Sequence, residues 1–293
     1  MSNDEPQVIW SYLPPGVRAI LATGSTSFVG DLGNDQVLKY PLVAEDRTAI
    51  EHEAGVYEIL GSHPRILPYY GLDPAGLRLG RAANGTLREF LKETPCSARD
   101  KLKWSRQLAE AVNYIHTMQV FHCDISPRNC FITDKCDLQL GDFQGKYCAP
   151  DGTVHHAYSL EGAKAYLPRH PTRIDHHSDL FAVGSAIYEI MTGHEPYEHL
   201  DSIDDLEEIE ALFRDQKFPS TEGILAHSVI ENCWRQRYDS ARECVRDLAN
   251  YEGQYDHAVC VCGFEGFGFP KSAAAPPPHA ATPPARLIRS AVL

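Results

Sequence analysis

The stretch His122–Gln144, HCDISPRNCFITDKCDLQLGDFQ, carries two carboxylates and an amide at spacings that suit metal-assisted acid–base chemistry: Asp124, Asn129 and Asp142. Residues 130–133 and 137–140 read as short strands joined by a turn at Asp134-Lys135. An antiparallel hairpin sets the start of its first strand beside the end of its second. Asn129 and Asp142 therefore meet at the open end, and Asp124 arrives there on the preceding loop. Oxygen donors converging at one point suit a magnesium ion, and a further carboxylate suits a general base. Any one of these residues would pass for ordinary turn chemistry. Three together, at these spacings, point to a site.

Such a hairpin needs a scaffold on both sides. Residues 14–80 read mainly as strands and turns, with VRAILATGSTSFVGDLGNDQVLKYP forming a hairpin set broken by Gly24, Gly30 and Gly33. One helix follows over 46–61, with Ile50, Glu53, Tyr57 and Leu60 on one face. Helices dominate from about 84. Residues 98–118 align Trp104, Leu108, Ala111, Val112 and Ile115 in a stripe, and 179–191 are apolar nearly all round, the mark of a buried helix. Ser240 with Glu243 signals the start of a last helix ending near Tyr251. The expected organisation is an extension over 1–15, a domain over 16–252, and a low-complexity tail over 253–293 that offers little to bury.

Composition bounds the partners. The 293-residue chain has 27 basic and 40 acidic residues, a net charge of −13, which argues against a general grip on nucleic acid or anionic membrane. No apolar run approaches the ~20 residues that cross a bilayer, and MSNDEPQVIW has no secretory pattern. Nine cysteines without a CxxC pair read as free thiols. The doublets His155-His156 and His176-His177 lack metal-ligand spacing. An intracellular, cytoplasmic or nuclear protein is expected.

HCDISPRN and DFQ resemble the HRDxxxxN catalytic loop and the DFG motif of the eukaryotic protein-kinase family, in phrasing closest to divergent fungal types. The resemblance covers roughly residues 16–252. It implies an α+β, two-lobed fold: a small β-rich N-lobe with one helix (about 16–80) and a larger helical C-lobe (about 84–252). It also implies ATP and magnesium as cofactors, and a protein substrate with serine or threonine ahead of tyrosine as acceptor. Asp124 would orient or accept the substrate hydroxyl proton, and Asn129 and Asp142 would hold the metal. Val37-Leu38-Lys39 resembles the end of the family's V-A-I-K strand, so Lys39 would reach the α and β phosphates. Lys39 then needs an acid on the next helix, where Glu51, Glu53 and Glu58 are candidates. Glu53 shares the apolar face, and an inward carboxylate is costly without a cation; it is the expected partner. ATGSTSFVG resembles the glycine loop, with Gly24 and Phe28 as nucleotide contacts. SDLFAVGSAIYEIMTG resembles the family's buried helix, with Asp179 supporting the catalytic loop.

The sequence departs from the family at definite positions. Thr26 and Val29 replace later glycines of the loop, which restricts how closely the backbone approaches phosphate. Cys123 replaces the arginine that reads a phosphorylated activation segment. Gln144 displaces the DFG glycine to Gly145 and limits a flip of that segment. Ser126 and Arg128 divide between the serine/threonine and tyrosine patterns. Leu167-Pro168-Arg169 stands in place of APE, and Tyr238 in place of the arginine paired with it, so both halves of a buried pair are expected to be lost together. Two competitors follow: a pseudokinase serving as a nucleotide-binding or scaffold module, and a small-molecule phosphotransferase, which the buried 179–191 helix disfavours.

Overall fold

Alternating side chains and tight turns build the first half of the chain into a sheet. The computed structural model describes residues 12–262 except 45, 150, 160, 171 and 172, and the backbone alone of 260–262. Strands β1 (Ala19–Thr23), β2 (Ser27–Gly33), β3 (Gln36–Pro41), β4 (Tyr69–Leu72) and β5 (Leu77–Gly80) form one antiparallel sheet in the order β1-β2-β3-β5-β4. β2 runs unbroken through Gly30, contrary to the expected interruption. A Cβ there would lie 2.5 Å from Val17 Cγ1 and 3.2 Å from the Tyr40 ring, so glycine admits close packing and breaks nothing.

The two faces of the sheet bury different sets. Leu38 and Tyr40 join Phe28 in a small outer cluster, while Val37 joins the main core beneath α1 (Thr48–Leu60). On α1, Ile50, Glu53, Ala54, Tyr57 and Leu60 are buried, the 3.6-residue stripe expected from sequence. Gly55 costs the helix about 1 kcal/mol relative to alanine. A Cβ there would meet the Tyr147 hydroxyl at 2.7 Å, so its absence lets that residue's segment pack against the helix.

The second lobe is helical: α2 (Leu87–Glu93), α3 (Ala98–Thr117), α4 (His176–Thr192), α5 (Leu206–Arg214), α6 (His227–Trp234) and α7 (Ala241–Cys262). Ser97 and Asp175 cap α3 and α4 by accepting from Asp100 N–H and His177 N–H, and α4 stops at left-handed Gly193. The interior of α4 is buried from Ser178 to Ile190. Gly184 lets α6 approach, since a Cβ would fall 2.7 Å from Cys233 Cβ. α7 passes the boundary expected at 253. Glu252 binds Arg106 at 2.9 Å, Asp256 binds Arg99 at 3.1 Å, and Tyr255 packs against the core. Residues 1–11 of the expected extension and 263–293 of the expected tail lie outside the described residues.

Short strands connect the lobes to the site. β6 (Val120–Phe121), β9 (Lys146–Cys148) and β10 (Val154–His155) form a small sheet, and β7 (Cys130–Ile132) pairs with β8 (Leu138–Leu140). This is the α+β, two-lobed architecture that the motifs implied. None of the described helices is long and apolar enough to cross a membrane.

Candidate active site

β3 and α1 place an ammonium among carboxylates. Lys39 Nζ lies 2.5 Å from Glu53 Oε2 and also bonds Asp142 Oδ1. The Lys39 and Glu53 side chains are 7% and 0% exposed, whereas Asp142 is 36% exposed and opens to the cleft. Glu51, the outward alternative, is 58% exposed and pairs with Arg47. Burial works against the Lys39 charge, but Asp142 and then Glu53 lift its pKa above the ordinary lysine value. Glu53 also accepts the Phe143 N–H at 3.2 Å, tying α1 to the segment that carries Asp142. Removing one member of so buried a group strands the others, at a cost of about 3–5 kcal/mol.

The C-lobe holds the other acids from below. Asp179, fully buried on α4, accepts His122 N–H at 2.9 Å and Cys123 N–H at 3.0 Å, and bonds His116 Nε2 at 2.9 Å. This anchoring holds Cys123 at φ +62°, a left-handed conformation that costs a non-glycine residue about 1–3 kcal/mol. His122 then links two parts of the site. Its Nδ1 accepts Asp124 N–H at 3.3 Å, while Nε2 donates to the Gly141 carbonyl at 3.0 Å. A carbonyl only accepts, so the proton sits on Nε2. Burial pushes the Asp124 carboxyl above its ordinary value, opposed by the Arg128 charge and the Asn129 hydrogen bond.

The hairpin positions the remaining candidate residues. Cys130 pairs with Leu140 and Ile132 with Leu138, and Gly141 N–H donates to the Asn129 carbonyl at 3.0 Å. That bond extends the ladder one pair and brings Asn129 beside the chain entering Asp142. Asn129 Nδ2 donates to the Asp124 carbonyl at 2.8 Å and to Asp124 Oδ2 at 3.0 Å. Among the described residues, no hydrogen bond reaches Asn129 Oδ1 or Asp142 Oδ2. One carboxylate and one amide oxygen thus accept no bond from the protein at the hairpin's open end, a hard donor pair that fits a magnesium ion completed by phosphate oxygens and water. No cluster of three or more metal-ligating side chains occurs among the described residues.

Lys39, Glu53, Asp124, Asn129 and Asp142 therefore share one connected group. Gly24 sits in the turn between β1 and β2, its N–H on the Ser27 carbonyl at 2.8 Å. Phe28 does not join the expected nucleotide contacts. It pairs with Tyr40 across the sheet and is 3% exposed on the outer face, while Val29 pairs with Lys39 on the inner one. Strand alternation from Ser27 onward decides this. Residues 169 and 238 do not pair with each other, in line with the expected loss, and each has another partner. Arg169 donates to both oxygens of a fully buried Glu161, at 2.9 and 3.0 Å. Tyr238 instead donates to Asp247 at 2.9 Å. Sequence reasoning had no role for His122 or Glu161. The histidine was visible in the motif, whereas the Glu161–Arg169 pair left no sequence signal.

A family model described as protein tyrosine and serine/threonine kinase matches residues 37–250. The chain belongs to the protein tyrosine and serine/threonine kinase family. It is 26% identical over 186 residues to a "Probable serine/threonine-protein kinase" of Clostridium acetobutylicum, covering 59% of this chain and 28% of that one. Aurora kinase A-B of Xenopus laevis is 34% identical over 146 residues, covering 46% and 35% respectively. CBL-interacting protein kinase 29 of Oryza sativa subsp. japonica is 30% identical over 176 residues, covering 56% and 37%. The matches span about a third of these relatives' length.

Proposed function

We propose that this domain transfers the γ-phosphoryl group of ATP, with magnesium, to a protein hydroxyl, serine or threonine ahead of tyrosine. The observation that carries the reading is Lys39 held between buried Glu53 and cleft-facing Asp142, with Asp124 and Asn129 bonded to each other beside them. Lys39 would release Asp142 and take the α and β phosphates, with Glu53 fixing its ammonium. Asn129 Oδ1 and Asp142 Oδ2 would hold magnesium, which supplies charge neutralisation for the transferring phosphoryl group. Asp124 would accept or orient the acceptor's proton, aided by the Asn129 amide that fixes its carboxylate. Serine and threonine come first because the Clostridium relative carries them in its name.

A second reading, a scaffold that binds nucleotide without transfer, is favoured by one contact. Gln144 and Thr26, both standing where the family has glycine, touch across the cleft. Purified protein incubated with labelled ATP, magnesium and generic protein acceptors, beside Asp142→Ala, separates the two. Transfer that is lost in Asp142→Ala supports the enzyme. Nucleotide binding without transfer supports the scaffold, and no binding at all removes both.

A further inference from the structure

The two side chains that replace family glycines meet each other. Gln144 Nε2 lies 3.3 Å from Thr26 Oγ1 and 3.4 Å from Asp142 Oδ1, and the residue is 6% exposed. Both ends of this bridge are anchored. The Thr26 carbonyl accepts Leu42 N–H at 3.2 Å, just beyond β3. The Gln144 carbonyl accepts Tyr158 N–H at 2.8 Å and Ser159 N–H at 3.3 Å. Asp142 Oδ1 is therefore reached from the N-lobe twice, directly by Lys39 and through Gln144 from Thr26. With both donors on Oδ1, the carboxylate is turned so that Oδ2 stays open. Two glycines could make neither contact, because the bridge consists wholly of side-chain atoms.

We propose that Gln144 is a positioning residue that joins Thr26 to Asp142, holding the β1–β2 turn and the metal-binding carboxylate as one unit. The proposal rests on the magnesium-dependent reading above and adds to it a means of orienting the ligand. A carboxylate ligand oriented by an outer hydrogen bond binds its metal more tightly than a free one, commonly by about tenfold or more. The same bridge ties the β1–β2 turn to the segment bearing Asp142 without any nucleotide. It also restricts the segment at Gln144, which is bonded on three sides.

The test uses the full chain with Gln144→Met, which keeps the side chain's length but removes its donor, Thr26→Val, and the double variant. Amide hydrogen exchange of residues 24–30 is followed without nucleotide. Each single variant is expected to speed that exchange, and the double variant to go no faster than the faster single one. In parallel, magnesium is titrated against a fixed concentration of a fluorescent ATP analogue. Gln144→Met is expected to need about tenfold more magnesium for half-saturation while reaching the same plateau. Wild-type exchange in Gln144→Met, or additive effects in the double variant, would overturn the proposal. So would an unchanged magnesium midpoint in a wild-type background that binds nucleotide. If the wild type binds no nucleotide, the catalytic reading fails, and the exchange arm still decides whether the bridge exists. Should Gln144→Met not fold, Thr26→Val breaks the same bridge from its half-buried end, and unchanged exchange there overturns the proposal equally.

Discussion

Lys39 and Glu53 lie 2.5 Å apart in a site almost closed to water, so neither keeps its function alone. Without Glu53, the ammonium is left to Asp142, the carboxylate proposed for the metal; without Lys39, Glu53 is an uncompensated buried charge. Lys39→Ala and Glu53→Ala are each expected to lower kcat/KM for phosphotransfer by about 100-fold or more. The double variant is expected to be no worse than the poorer single one, as steady-state kinetics will read. Asp179 gives a pH test. Burial raises its carboxyl, but the His116 bond and the Cys123 N–H more than offset this, leaving it below the ordinary 3.8. A depressed folded value means stability that is fully present above about pH 4 and lost as pH falls through the folded pKa. Asp179→Asn should therefore cost about 1–3 kcal/mol in urea unfolding at pH 7. The gap from wild type should narrow as pH falls below about 4.

Elements position the site through close approaches that only small residues permit. Gly145 is the sharpest case: a Cβ there would lie 1.9 Å from the Phe121 carbonyl oxygen and 2.5 Å from that of His122. Both are backbone atoms and cannot swing aside. Gly145→Ala is expected to destabilise the fold by about 1–3 kcal/mol, read as a lowered Tm. Because the strain falls between the loop bearing Asp124 and the segment bearing Asp142, activity should drop further than stability alone explains. The glycine displaced from the usual DFG position is thus required for packing, while Gln144 occupies the position facing the N-lobe.

For the molecule as a whole, the five polar residues come from both lobes: Lys39 and Glu53 from the sheet side, Asp124 and Asn129 from the helical side, and Asp142 between them. Ligand binding across such a cleft must couple to stability. Magnesium with ATP at about 100 times its dissociation constant should add about 2.7 kcal/mol, a rise of about 5–10 °C in Tm for a domain of this size. Thermal melts should show that rise in wild type and its loss in Lys39→Ala. The Arg106–Glu252 and Arg99–Asp256 pairs on the far side couple α3 to α7, so a chain ending at 252 would lose the second of them.

The sequence alone determined the hairpin of β7 and β8, the inward face of α1 and the buried stripe of α3. Each follows from local periodicity, and a local period fixes which side chains share a face. The choice of Glu53 over Glu51 was legible for that reason, and the meeting of Asn129 with the chain entering Asp142 from the pairing of two short strands. Only tertiary structure decided that Phe28 turns outward, that Arg169 finds Glu161, that α7 continues past Gly253, and that Thr26 reaches Gln144. These depend on where a strand begins, or on contacts between segments as much as 118 positions apart. No periodicity within either segment encodes such a meeting, because the geometry that brings the partners together belongs to the packed lobes.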